Sequence, residues 1–290
     1  MRVGPPRAWV LNLDSEDELA RGARYRPPSR HKRAELAARC AGAPFVGADD
    51  LVLDAQVDAP DDPRARGMLG AAFMPTPYAL RRLAEAGCIA PAAPPLEVLR
   101  RGNDRALYVP RLPGAVHVTT RADALVALAR DAPRGVWLCK RSLGAAGRGH
   151  RRVGAGVVRD VDVAWVDAAL RKTGGVEITP WLERVADFAL HGVVESDQLR
   201  LGPATVQEVD TNGTWRSSRP AATDELDARE LAALHAAAHE VAAELVDVGY
   251  FGPFGIDAFR YRIAQGRTAF CACCDVNARL TMGFAAAALE

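Results

Sequence analysis

No apolar run in this 290-residue chain approaches the ~18 residues of a membrane-spanning helix, so a helical membrane protein is not expected. The start, MRVGPPRAWVLNLDSEDELA, turns acidic before a signal-peptide apolar core forms, and the expected location is cytoplasmic. Charge of one sign is lacking too: 37 Lys plus Arg face 36 Asp plus Glu. A formal charge of +1 gives no general attraction to nucleic acid or to an anionic membrane, so any anion site must be local. The six cysteines (Cys40, Cys88, Cys139, Cys271, Cys273, Cys274) lack the regular spacing of a secreted disulfide framework, and reduced thiols are expected. Walker A and Rossmann glycine patterns are absent, as is any convincing Ser-His-Asp or Cys-His constellation. Nothing in the sequence signals an oligomeric state.

What is present is ordinary globular composition, 49% hydrophobic and 25% charged, with length for two or three packed units. Residues 1–95 alternate strand-like AWVLNL, PFVGADDLVL and GMLGAAFM with helix-like HKRAELAARC and TPYALRRLAEAG, the pattern of a small α/β layer with parallel strands. The proline-rich IAPAAPPLEVL marks a boundary near residue 95. An α+β unit follows: helix LEVLRRGNDRALYV, strand AVHVTT, helix RADALVALARDA, strand GVWLCK, a glycine loop and RRV. The last third holds strand-like GVEITP, DFALHGVV and ATVQEVD. A helix with Leu231, Leu234, Ala238, Val241, Leu245 and Val248 on one stripe comes next, then the pair GIDAFRYRI and RTAFCACCDVNA. The final AAALE reads as an expression-vector scar or as the start of a terminal helix.

Two segments carry chemistry. Lys140 ends an apolar strand and LGAAGRG follows, with Gly144, Gly147, Arg148 and Gly149. Glycines admit backbone N–H groups close to an anion, so the functional reading of the loop is a phosphate flap; taken alone, it reads more readily as a surface hairpin with solvated arginines. In the closing pair, a turn that sets Ile263 against Thr268 puts Asp257 opposite Cys274, within one step of Asp275. Neighbouring carboxylates repel and call for a cation, and Asp257, Asp275 and Asn277 form an all-oxygen set suited to Mg²⁺ or Mn²⁺; the alternative is a carboxylate pairing with Arg279. Strand alternation places Cys271 and Cys273 on one face and Cys274 on the other, so one tetrahedral metal cannot collect all three thiols. His235 and His239, one turn apart but without the Glu of His-Glu-x-x-His, read as core-edge histidines. The loop TWRSSRP offers Arg216, Ser217 and Arg219 to an acid substrate, but reads more readily as a solvated loop.

A flap beginning at a strand-ending lysine, with Asp and then acid-x-Asn-x-Arg far downstream, resembles the ATP-grasp superfamily over roughly residues 96 to 284. GYFGPFGIDAF with DVNARLTMG is the most specific segment. The resemblance implies an ATP-grasp fold behind an N-terminal pre-ATP-grasp α/β domain: residues 1–95, a small lobe with the flap at 96–176, and a C-terminal lobe with the metal site at 177–285. It implies ATP and Mg²⁺ as cofactors, with Asp257, Asp275 and Asn277 on the metal. Lys140 would contact ATP phosphates together with Arg105, Gly144, Gly147, Arg148 and Gly149. Glu177, Trp181 and Leu182 would lie near adenine, unless Trp181 is a core aromatic, and Asp187 near ribose. Lys140 and Arg279 would stabilise charge on the transferred group. Two positions depart from the usual pattern: Arg105 stands where lysine is common and Asp275 where glutamate is usual. The implied activity is ATP-dependent ligation of a small-molecule carboxylate to an amine. Rival readings are an ATP-binding module without turnover and a thiol protein built on CACC.

Overall fold

The computed structural model describes residues 5–29, 31–35, 45–53, 62–144, 149–195, 198–209, 215–287 and 289. Gly147, Arg148, Cys40 and parts of the expected segments 31–40 and 44–53 lie outside them.

The N-terminal strands β1 (Arg7–Val10), β2 (Leu51–Val52) and β3 (Leu69–Ala72) run parallel in the order β2-β1-β3, as expected from strands that alternate with helices. Helix α1 (Ser15–Arg21) follows β1, and α2 (Pro77–Glu85) starts where Thr76 caps Ala79 N–H and proline occupies the first turn. The sequence reading missed α1, a short, acidic segment in which little besides Leu19 is apolar.

Helix α3 spans only Leu96–Gly102, where an unbroken helix was expected through Val109. Gly102 ends it, and Asn103 turns back to donate to Leu99 O at 2.8 Å. Asp104 then caps a 3₁₀ turn over Arg105–Leu107. The small-lobe sheet contains β4 (Val116–Val118), β5 (Val136–Arg141), β6 (Arg151–Gly154) and β7 (Val176–Pro180) in the order β4-β7-β5-β6. Against it pack α4 (Arg121–Ala129) and α5 (Asp160–Thr173), the second also missed from sequence. The expected crossing at 176/177 falls inside β7; the chain leaves this sheet after Pro180.

The large lobe is a six-stranded sheet: β8 (Arg184–Glu195), β9 (Gln198–Leu201), β10 (Thr205–Val209), β11 (Trp215–Pro220), β12 (Gly252–Arg262) and β13 (Thr268–Asn277), in the order β11-β10-β8-β12-β13 with β9 beside β8. Trp215–Pro220, the described part of TWRSSRP, is therefore strand rather than loop, for β10 takes up its backbone hydrogen bonds. Helix α6 (Ala228–Asp247) covers one face. Asp227 and Glu230 form its capping box, and Leu234, Ala238, Val241 and Leu245 meet Phe188, Leu190, Phe254 and Ile256. Leu231 is exposed, and the apolar stripe begins one turn later. His235 is partly buried and His239 exposed. With the helix on one side, alternation along β8 and β12 delivers Asp187, His191, Asp257 and Phe259 to the opposite face.

Candidate functional site

The closing hairpin does not keep the register expected from its turn. Gln265 and Gly266 take φ of +62° and +72°, Arg262 rather than Ile263 opposes Thr268, and a bulge between Asp257 and Phe259 shifts the pairing. The shift sets Asp257 directly opposite Asp275 instead of opposite Cys274, with Asn277 one step along opposite Gly255. The thiols divide differently as well. Cys271 and Cys274 pack with Leu112 and Phe259, whereas Cys273 joins the α6 core. Burial pushes all three thiols up, so they stay protonated.

The two carboxylates have unlike surroundings. Asp257 meets only amides: Gln207 Nε2 donates to Oδ1 at 2.7 Å and Asn277 Nδ2 to Oδ2 at 3.4 Å. Burial, then the charge of Asp275, raises its pKa to about 6. Asp275 is also opposed by burial, but Arg105 and Lys140 outweigh that and hold it below the usual range. Among the described residues no group of three His, Cys, Asp or Glu side chains is placed to hold a metal. The donor set that does converge is two carboxylates and an amide oxygen, and the negative charge on Asp257 lacks a cationic partner; this fits one small oxygen-seeking ion.

Lys140 points across β5 to Glu177 on β7, Nζ to Oε1 2.9 Å, with exposures of 4% and 0%. Arg105 reaches the other oxygen of Glu177 with Nε at 3.2 Å and Asp275 with Nη2 at 2.7 Å. Its Nη1 donates to Arg141 O and Gly144 O at the base of the flap. Glu177 is thus a buried counter-ion shared by two cations. The two departures from the usual pattern, Arg105 and Asp275, touch each other.

Where the chain passes between sheets, Leu112, Leu138, Lys140, Trp181, Leu182 and Arg184 line a narrow crevice of about 20 Å³, closed on the large-lobe side by Phe259. Trp181 is partly buried beneath Arg152, whose guanidinium lies 3.9 Å from the ring centroid, rather than packed in a core. Arg184 stands 4.2 Å over the Phe259 ring and donates to Asp187 at 2.7 Å.

Arg279 lies apart from Lys140's partners. It donates to Glu16 Oε1 on α1 at 2.8 Å and to Leu280 O at 2.9 Å, and stacks over Phe73. The structure therefore brings together Arg105, Lys140, Gly144, Glu177, Asp257, Asp275 and Asn277, places Trp181, Leu182 and Asp187 around the crevice and its rim, and ties Arg279 to the N-terminal unit. Gly149 has φ +72° near the start of β6, a turn geometry that suits glycine. Sequence reasoning missed Glu16, Arg184 and Gln207. Only Glu16 had a local signal, the acidic first turn of a helix.

No protein-family model matches the chain, and no curated protein matches it in sequence. Solved structures match in shape. D-cycloserine synthetase DcsG is similar over 96% of this chain and 93% of its own, with TM-score 0.50 and 14% identity. D-alanyl-alanine synthetase A from Vibrio cholerae is similar over 96% of this chain and 90% of its own, with TM-score 0.50 and 11% identity. Pyruvate carboxylase from Rhizobium etli, solved with the allosteric activator acetyl coenzyme-A, covers 98% of this chain with 27% of its own length, at TM-score 0.55 and 15% identity. At such identities the likeness speaks to architecture. A small antiparallel sheet, a larger sheet ending in the Asp and acid-x-Asn hairpin, and these structural likenesses together give the chain the ATP-grasp fold, preceded by a parallel α/β unit.

Proposed function

We propose that the chain is an ATP- and Mg²⁺-dependent ligase that joins a small-molecule carboxylate, by way of an acyl phosphate, to an amine or similar nucleophile. The observation that carries this reading is the convergence of Lys140, which lines the crevice, with Arg105 and the Asp257–Asp275 pair. Two fixed cations and a carboxylate pair are what positioning a polyphosphate requires, and acyl-phosphate chemistry needs no protein nucleophile.

In this reading adenine enters between Leu138 and Phe259 against the Trp181–Leu182 backbone, displacing Arg184, and Asp187 faces the ribose. Lys140, held on Glu177, and Arg105, which reaches the Gly144 carbonyl, meet the phosphates. Asp257 and Asn277 hold the metal with Asp275 alongside; a bound Mg²⁺ supplies charge neutralisation at phosphate oxygens. Glu177 holds the two cations in place.

ADP release assayed over a panel of acids and amines tests the proposal. Asp257→Asn and Asn277→Ala are expected to abolish turnover with the fold intact, and undiminished turnover in both would refute the assignment. ATP binding without ADP formation from any acceptor pair would favour a nucleotide-binding module instead.

A further inference from the structure

We propose that Arg105 takes the place of a second metal cation: its guanidinium neutralises Asp275 permanently, leaving a centre that binds one divalent ion at Asp257 and Asn277. The inference rests on the nucleotide-site reading above but concerns how the charge in that site is divided. Arg105 is 6% exposed, and its fork is used on three sides: by Glu177, by the Arg141 and Gly144 carbonyls, and by Asp275 Oδ2 at 2.7 Å. The other oxygen of Asp275 accepts from Val276 N–H at 3.1 Å. Each oxygen of Asp275 thus already has a partner.

The contact is built in from both ends. Arg105 N–H donates to Ser142 O at 3.1 Å, and two residues earlier Asn103 clasps the strand that carries Asp275, accepting from Ala278 N–H at 3.0 Å and donating to Ala278 O at 3.3 Å. A guanidinium is never deprotonated, so its charge is as constant as an ion's. Around Glu177, Asp275 and Asp257 stand the cations Lys140 and Arg105; Arg184 and Arg279, whose charges also reach Asp257, are bonded to Asp187 and Glu16, which leaves one negative charge without a cation bonded to it. It belongs to Asp257, whose partners are amides. One divalent ion satisfies that charge. A second would have to pull Asp275 from Arg105 and leave a buried guanidinium short of a partner.

Mn²⁺ is the probe. Electron paramagnetic resonance of the protein with ADP counts bound ions and detects magnetic coupling between neighbours, which ions ~4 Å apart would show. The wild type is expected to hold one uncoupled Mn²⁺ per chain. Asp257→Asn should remove it, Asp275→Asn should leave its affinity within about threefold, and Arg105→Met should admit a second, coupled ion. Two coupled ions in the wild type, or loss of binding in Asp275→Asn equal to that in Asp257→Asn, would overturn the proposal. If Arg105→Met does not fold, the comparison of the two aspartate variants decides without it. Calorimetry with ADP separates this from the function: ADP binding with no Mn²⁺ site overturns the charge assignment alone. Absence of both ADP binding and acid-dependent ADP release overturns the nucleotide reading, and the counts with Mn²⁺ alone still decide the role of Arg105.

Discussion

Glu177 has no solvent exposure and divides its carboxylate between Lys140 and Arg105, so one residue positions two cations. Glu177→Gln is isosteric yet leaves both buried cations facing an amide. Loss of a partner from a buried ion cluster costs about 3–5 kcal/mol, so urea unfolding of this variant should show a loss of that order, with weakened ADP binding by calorimetry. A second residue-scale prediction concerns His191, 1% exposed, whose Nδ1 has no hydrogen-bond partner. Burial lowers its pKa from 6.5 to about 4. Between those values the unfolded chain takes a proton that the folded protein refuses, so stability is complete above pH 6.5 and falls as pH drops toward 4. The loss is about 3 kcal/mol, and His191→Gln should flatten it in melts run from pH 7 to 4. At this scale the sequence exposed Lys140, Asp257 and Asn277 because their spacing along strands is regular. Gln207 stayed hidden because its link to Asp257 crosses 50 residues of chain.

Elements explain why the hairpin reading came close and still missed. Alternation brought Asp257 within one step of Asp275, but the bulge before Phe259 made the pair direct and reassigned the thiols, and no residue in DAFRYRIAQGRTAFCACC announces a bulge. Helix α3 shows the converse. Gly102 was visible as a weak helix residue, yet the break matters because it lets Asn103 and Arg105 turn toward β13. In the central strand β8, a Cβ at Gly192 would stand 2.6 Å from a Phe254 ring carbon and 2.9 Å from Arg200 O. Gly192→Ala is therefore expected to destabilise by about 1–3 kcal/mol through overpacking, read as a lower urea midpoint. The strand runs from the crevice to the β9 hairpin, so amide exchange should quicken along its length.

Across the whole molecule, the N-terminal unit is tied to the site by one buried ion pair, Glu16 with Arg279, at 7% exposure each. Lys172 adds a more exposed contact to Asp17 at 2.6 Å. Glu16→Ala would leave Arg279 buried without its carboxylate partner. We expect calorimetry of that variant to show the N-terminal unit melting before the two sheets of the ATP-grasp fold, with faster amide exchange in β1 and β3. A single unchanged transition would mean that the apolar contacts of Leu280 and Met282 with the Trp9 and Phe73 cluster hold the unit without the pair. The sequence by itself determined the order of units, the flap strands and the Asp, Asp and Asn of the closing pair, because periodicity, glycine spacing and strand alternation act over neighbours in the chain. Only the tertiary structure decided who neutralises whom: Arg105 reaches Asp275 across 170 positions and Arg279 reaches Glu16 across 263, and buried charges pair with whatever the fold brings within hydrogen-bond reach.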